Sequence, residues 1–93
     1  MNNANQKNVR RVRFCTHAPP NSDVYLVGTF NDWNTDSIPM CDCTGKGHYQ
    51  VDVPLTKGDY EYKFIVNGNW CPDVTSQYWV ENAFGSTNSL IKV

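Results

Sequence analysis

The stretch DYEYKFIVNGNW, residues 59–70, decides the fold class of this chain. The aromatic side chains of Tyr60, Tyr62 and Phe64 alternate in it with the charged side chains of Glu61 and Lys63. Alternation with a period of two is the signature of a β-strand, and aromatic residues favour strands. The stretch therefore predicts a strand with one apolar face and one polar face.

The same stretch runs into Asn67-Gly68, which favours a tight hairpin because a type I′ turn needs positive φ at both central residues. Lys57-Gly58-Asp59 and Gly45-Lys46-Gly47 indicate two more turns. Residues 73–84 predict a long crossing loop with a short strand near Tyr78. Alternating segments also occupy residues 9–15, 23–29, 48–53 and 89–93. Short strands separated by tight turns predict an all-β antiparallel sandwich.

Length and composition limit the molecule to one small globular domain. The chain has 93 residues, of which 40% are hydrophobic and 18% are charged, whereas a disordered chain is poorer in apolar residues. We expect a disordered polar tail over residues 1–8 and a single β-sandwich module over residues 9–93. No apolar run reaches the roughly 18–20 residues of a membrane span, and the Asn-rich start does not resemble a secretion signal. These features predict a cytoplasmic protein with no membrane partner.

The charge pattern argues against nucleic acid as a partner. The formal net charge is −1, so the whole molecule does not attract phosphate backbones. Four cationic residues precede the first acid, but no stacking aromatic residues are interleaved with them. We expect no nucleic-acid partner.

The four cysteines allow three interpretations, namely disulfides, a metal site or free thiols. Four cysteines permit three disulfide pairings, and Cys41-x-Cys43 with His17 and His48 could supply metal ligands. The single C-x-C pair differs from the usual C-x2–4-C spacing of zinc ligands. We expect reduced thiols, no metal and no cofactor. No nucleophile, base and acid are spaced for catalysis, so we expect no enzymatic activity.

Two tryptophans stand next to turns and not in the middle of a strand. Trp33 follows an Asn- and Asp-containing turn, and Trp70 follows the Asn67-Gly68 hairpin. Large rings at turns are difficult to bury, although a tryptophan can also pack over the end of a sandwich. An exposed indole plane covers the apolar face of a sugar ring, while polar side chains bond the hydroxyls at its edge. The pair therefore indicates a weak sugar-binding surface.

Three segments in the same order resemble family-48 carbohydrate-binding modules, in particular the glycogen-binding domain of the AMP-activated protein kinase β subunit and the early-set domain of isoamylases. They are VYLVGTFNDWN at residues 24–34, GDYEYKFIVNGNW at residues 58–70 and FGSTNSLIKV at residues 84–93. The resemblance covers residues 9–93. It implies an immunoglobulin-like early-set sandwich of about seven strands that binds α-1,4-linked glucans without catalysis.

The resemblance also implies which residues bind. Trp33 and Trp70 would stack on glucosyl rings, and Lys63 would bond hydroxyls. On the last loop, Phe84 stands where the family has leucine, Ser86 where it has threonine, and Asn88 matches the family's asparagine. Without the resemblance, Lys63 could be a solvated surface residue and Asn88 a turn residue.

Two functions remain open from the sequence. The first is a glucan-binding module for glycogen, starch or maltooligosaccharides, with a glycogen-metabolising enzyme or a kinase subunit as a further partner. The alternative is a protein-interaction or spacer domain, excised from or acting beside an amylolytic enzyme or kinase complex. In that case Trp33 and Trp70 would face another chain.

Overall fold

A computed structural model describes residues 9–93 of the chain, and the predicted tail over residues 1–8 lies outside the described residues. The described part contains eight strands and one short 3-10 turn at Thr29–Asn31. The strands are β1 (Val9–His17), β2 (Val24–Gly28), β3 (Cys41–Asp42), β4 (His48–Thr56), β5 (Asp59–Val66), β6 (Asn69–Cys71), β7 (Tyr78–Glu81) and β8 (Thr87–Lys92).

These strands form two antiparallel sheets. The smaller sheet has the order β1-β4-β3, and the larger has the order β2-β5-β8-β7, with β6 pairing with β5 beyond the end of β8. The prediction of an all-β antiparallel sandwich is confirmed. The described part of the chain has eight strands where the sequence predicts about seven. The additional strand is β3, whose two residues are too few to show an alternating pattern.

The hairpin predicted at Asn67-Gly68 is present. Asn67 and Gly68 have φ values of 50° and 85°, and Val66 pairs with Asn69 across the turn. The turn fixes the register of β6 against β5 and sets Trp70 opposite Ile65. One tryptophan of the predicted pair thus gains a defined place on a sheet.

The core lies between the two sheets and is built from their inward-facing residues. Phe14 of β1 contacts Tyr62 of β5 edge-on at a centroid distance of 4.9 Å, and Tyr62 contacts Phe64 at 5.8 Å. Phe64 and Leu26 are fully buried. The side chains on the predicted apolar face of β5 therefore lie at the centre of the core.

The connection between β6 and β7 is anchored to the sheet by Asp73. The Tyr62 hydroxyl donates a hydrogen bond of 2.6 Å to the Asp73 carboxylate, and the Asp73 amide donates one of 2.9 Å to the Ser89 hydroxyl. The short strand expected near Tyr78 is β7, at the edge of the larger sheet. Among residues 9–93 there is no helix of the length and apolarity that a membrane span requires.

Candidate functional site

A groove crosses the outer face of the larger sheet, on the side away from the core. Cross-strand pairs place Val27 beside Lys63, and Ile65 beside Trp70, on this face. The groove has a volume of about 750 Å3. We call it the tryptophan groove, and it is lined by Thr29, Trp33, Glu61, Lys63, Trp70, Asn82, Phe84, Ser86 and Asn88.

All six residues predicted from the sequence line this one groove. Trp33 comes from the loop after β2, Lys63 from β5, Trp70 from β6, and the remaining three from the loop before β8 and from β8 itself. They therefore come together from four separate parts of the chain. Trp70 is 49% exposed, whereas Trp33 is half-buried.

Lys63 is the buried cation of the groove. Only 6% of its surface is exposed, and its Nζ donates a hydrogen bond of 3.0 Å to the Ser86 hydroxyl. Among residues 9–93 the only salt bridge joins Arg13 to Asp52. No described carboxylate therefore neutralises Lys63. An ammonium group has three donors, which leaves two for a ligand or for water.

The loop that carries Trp33 is shaped by Asn31. Its Oδ1 accepts a hydrogen bond from the Gly28 amide, and its Nδ2 donates to the Asn34 carbonyl and to the Ser37 hydroxyl. Trp33 itself has a φ of 59°, and its amide donates to the Gly28 carbonyl at 2.9 Å. The conformation of the loop is therefore fixed by backbone hydrogen bonds and by three bonds of the Asn31 side chain, and it sets the indole against the groove.

The loop that carries Phe84 is shaped by another asparagine. Asn82 Oδ1 accepts hydrogen bonds from the amides of Phe84 at 2.9 Å and Ser86 at 3.1 Å. Gly85, between them, has a φ of 77°, which favours glycine. The Phe84 side chain is 93% exposed at the tip of the loop.

A hydrogen-bonded chain links this loop to the floor of the groove. Asn82 Nδ2 donates to Asn88 Oδ1 at 3.1 Å, and Asn88 Nδ2 donates to Glu61 Oε1 at 3.0 Å. Asn88 is only 9% exposed, so it positions its neighbours as well as lining the groove.

Sequence reasoning missed three lining residues, namely Thr29, Glu61 and Asn82. The period of two gave a signal for Glu61, because it shares the polar face of its strand with Lys63. Thr29 accepts a hydrogen bond from the Glu61 amide at 3.3 Å, a contact between distant parts of the chain. No sequence pattern marked Asn82.

The cysteines lie outside the groove lining, and all four are free thiols in the structure. Within the described residues, no three side chains of histidine, cysteine, aspartate or glutamate are grouped to hold a metal ion. The groove instead combines exposed aromatic surface with donors and acceptors at its floor. Such a surface suits an uncharged ligand that carries many hydroxyl groups.

Comparison with known proteins places the chain in a family. Residues 12–93 match the model of the glycogen recognition site of AMP-activated protein kinase. The chain is 32% identical over 71 residues to the β-1 subunit of 5′-AMP-activated protein kinase from Sus scrofa, covering 76% of this chain and 54% of that sequence. It is 36% identical over 73 residues to the Homo sapiens β-2 subunit, covering 76% of this chain and 25% of that sequence.

The matched region thus spans between a quarter and about half of these relatives' length. The family model, in contrast, covers nearly all of the described residues. The chain belongs to the family of glycogen recognition domains of AMP-activated protein kinase.

Proposed function

We propose that the tryptophan groove binds α-1,4-linked glucans such as glycogen, starch and maltooligosaccharides, and that the chain does so without catalysis. The observation that carries the proposal is the convergence of Trp33, Lys63, Trp70, Ser86 and Asn88 on one groove from distant segments. Membership of a glycogen recognition family supports the choice of ligand.

In this proposal the indoles supply most of the binding energy. Trp70 offers an open ring face because about half of its surface is exposed. Covering roughly 80–100 Å2 of apolar surface per sugar ring would contribute about 2–2.5 kcal/mol. Two such stacks, reduced by the cost of association, give a dissociation constant on the order of micromolar to millimolar.

The polar side chains of the floor would select the hydroxyls. Lys63 Nζ keeps two donors free beyond its bond to Ser86, and the Glu61 carboxylate keeps acceptor positions beyond its bond to Asn88. Sugar hydroxyls both donate and accept, so one ligand can satisfy both charged groups without neutralising either. The opposite charges of Lys63 and Glu61 in one groove suit a ligand without net charge, because Glu61 repels an anion and Lys63 repels a cation.

The test is a calorimetric titration of the whole chain with maltoheptaose, with cellohexaose as the β-linked control. We expect saturable binding of maltoheptaose only. Trp70→Ala should weaken binding by about 30–60-fold, the loss of one stack. Trp79→Ala is the matched control because Trp79 is 65% exposed and lies outside the groove. Equal loss in both variants, or none in either, contradicts the proposal.

Phe84 is expected to set the shape of glucan that the groove accepts. Its ring stands 93% exposed at the loop tip, where it is broader than the leucine that the family pattern has at this position. We propose that linear maltoheptaose binds more tightly than β-cyclodextrin, and that Phe84→Leu narrows the difference. Tighter binding of β-cyclodextrin than of maltoheptaose by the unmodified chain would contradict this.

One observation supports the alternative, a surface for another protein. Trp79, together with Val74 at 90% exposure, lies outside the tryptophan groove, and such apolar exposure suits a protein contact. A kinase subunit or a glycogen-metabolising enzyme would then be the partner, and the chain would act beside it as an interaction or spacer domain. Sedimentation of the chain mixed with such a partner tests this function. Concentration-dependent association that Trp79→Ala abolishes, with no response of the chain to glucan, would favour it over the first.

A further inference from the structure

A second depression lies on the same face of the larger sheet, on the other side of Trp70. It has a volume of about 400 Å3 and is lined by Asp23, Tyr25, Thr35, Ile65, Asn67, Gly68 and Trp70. Trp70 lines both this depression and the tryptophan groove. The indole is thus the shared wall of two neighbouring sites.

The register of the sheet explains the arrangement. Tyr25 of β2 pairs with Ile65 of β5, and Ile65 pairs with Trp70 of β6. Residues that face each other across neighbouring strands point to the same side of the sheet. Tyr25 and Trp70 therefore stand on either side of Ile65, on the face that holds the groove.

The chemistry of the second depression resembles that of the groove. An aromatic ring and an indole offer apolar faces, and Thr35 adds a hydroxyl at the edge. Asp23 is the charged residue of the lining, and within residues 9–93 its carboxylate accepts no hydrogen bond, although its amide donates to Asn67 Oδ1 at 2.9 Å. A free carboxylate accepts bonds from sugar hydroxyls and repels phosphate or sulfate.

We propose that the second depression is an additional subsite for the same neutral α-glucan chain, which continues past Trp70 onto Tyr25 and Asp23. This inference rests on the proposed function of the groove. Its occupant is the glucan because both depressions share one indole wall and one sheet face. Long glucans then make contacts that short ones cannot.

The experiment compares maltotriose with a maltooligosaccharide of about ten units by calorimetry, in the unmodified chain and in Tyr25→Ala and Tyr25→Phe. We expect Tyr25→Ala to weaken binding of the long sugar by about tenfold and to leave the affinity for maltotriose unchanged. Tyr25→Phe should bind both sugars about as tightly as the unmodified chain. Thermal unfolding of each variant verifies that the domain stays folded.

The outcomes separate this inference from the function on which it rests. If neither sugar binds the unmodified chain, the proposed function fails. If both bind and Tyr25→Ala changes neither, or weakens both equally, the groove binds glucan but the additional subsite does not exist. Asp23→Asn gives a second measurement: weakening confined to the long sugar supports the subsite.

An independent observation concerns two thiols at the end of the smaller sheet. Cys41 Sγ and Cys43 Sγ lie 3.3 Å apart, and both residues are exposed. The turn that follows is held by the Asp42 carboxylate, which accepts amide hydrogen bonds from Gly45 at 3.0 Å, Gly47 at 2.8 Å and His48 at 3.2 Å. The turn therefore holds the two sulfurs near each other.

Cys15 cannot replace Cys43 as the disulfide partner of Cys41. Cys15 and Cys41 pair with Gln50 from opposite sides, so their Cα atoms are separated by two strand spacings, about 9–10 Å. Disulfides need Cα atoms within roughly 7 Å. Cys71 is half-buried on the other sheet. Both residues serve as internal controls.

We propose that Cys41 and Cys43 form a dithiol that closes to an intramolecular disulfide by exchange with a small-molecule disulfide such as oxidised glutathione. One thiol attacks the oxidant and releases one molecule of reduced glutathione, leaving a mixed disulfide. The second thiol then displaces the other glutathione. The protein loses two hydrogens, and one oxidised glutathione becomes two reduced ones, so the exchange balances.

Intact-mass measurement in graded mixtures of reduced and oxidised glutathione tests the dithiol. We expect the unmodified chain and Cys15→Ser to lose two hydrogens and to protect two thiols from alkylation. Cys43→Ser and Cys41→Ser should instead carry a bound glutathione. Absence of the two-hydrogen loss in the unmodified chain, or its persistence in Cys43→Ser, would overturn the proposal.

Discussion

The side chains on one face of β5 enter the apolar core, whereas those on the other face line the tryptophan groove. Phe64 is fully buried and Tyr62 is 3% exposed on the inner face, and Lys63 is almost as inaccessible, at 6%, on the outer face. The inner side chains contact one another through aromatic edges, but Lys63 is held by one hydrogen bond to Ser86. Equal burial thus comes from different interactions.

The difference indicates which face supplies stability and which supplies binding. Apolar burial is favourable by itself, whereas a buried cation with no described counter-ion loses its hydration without an ion pair to offset the cost. Changes on the inner face should therefore alter the free energy of unfolding. Changes on the outer face should alter glucan affinity and leave stability nearly unchanged.

The largest effect is expected on the inner face. Phe64→Ala removes a fully buried ring and should lower the free energy of unfolding by about 3–5 kcal/mol, as large-to-small core changes do. Urea unfolding followed by tryptophan fluorescence measures this. A loss below about 1 kcal/mol would contradict the assignment of stability to the inner face of β5.

Lys63→Met tests the outer face. The substitution keeps the aliphatic stem and removes the charge. The free energy of unfolding should therefore change by less than about 1 kcal/mol or increase. Glucan affinity should fall tenfold or more, because hydrogen bonds from a charged donor contribute about 1.5–3 kcal/mol. Lys92→Met is the matched control, since Lys92 lies 4.6 Å over the Tyr78 ring and outside the groove. Strong destabilisation with unchanged affinity would contradict this assignment of roles.

The sequence predicted the strand and the hairpin because both are local. The alternation of β5 and the positive φ of Asn67-Gly68 depend on neighbouring residues alone. Strand β3 was missed because two residues carry no period. It is held instead by residues that are distant in the chain. The Met40 amide, just before β3 begins, donates a hydrogen bond to the Val24 carbonyl of β2.

The groove was predictable only in part for a similar reason. Family resemblance gave six of its residues, but the burial of Lys63 did not follow from its place on the polar face of a strand, since such a face is usually solvated. Asn82 was missed because its three bonds, to the Phe84 and Ser86 amides and to Asn88, exist only once the loop lies over β8.

Asn82→Ala measures how far the loop depends on that one side chain. The change removes three hydrogen bonds from a half-buried position and should weaken maltoheptaose binding by about tenfold, with a loss of stability of about 1–2 kcal/mol. Asn34→Ala is the control, because Asn34 Oδ1 accepts one bond, from the Asp36 amide. Equal effects of the two substitutions would show that Asn82 does not organise the loop.

The smallest effect is expected from pH, and it acts on the inner face alone. Burial, together with the hydrogen bond to Asp73, raises the pKa of Tyr62 well above its ordinary value. In the unfolded chain a tyrosine loses its proton near pH 10, while folded Tyr62 keeps it. The contribution of Tyr62 to stability is therefore fully present below about pH 10 and declines as the pH rises further, by at most about 1.4 kcal/mol per pH unit.

Tyr62→Phe isolates this decline from the titration of every other group. At neutral pH the variant should be less stable by about 1–2 kcal/mol, because it loses the bond to Asp73. Above pH 10 the gap between the two chains should narrow, since only the unmodified chain loses the contribution of the Tyr62 hydroxyl. Urea unfolding at pH 8, 10 and 11 measures the gap. A gap that stays constant or widens would mean that Tyr62 ionises at least as readily in the folded chain as in the unfolded one. The inner face of β5 would then be more accessible to water than its packing indicates.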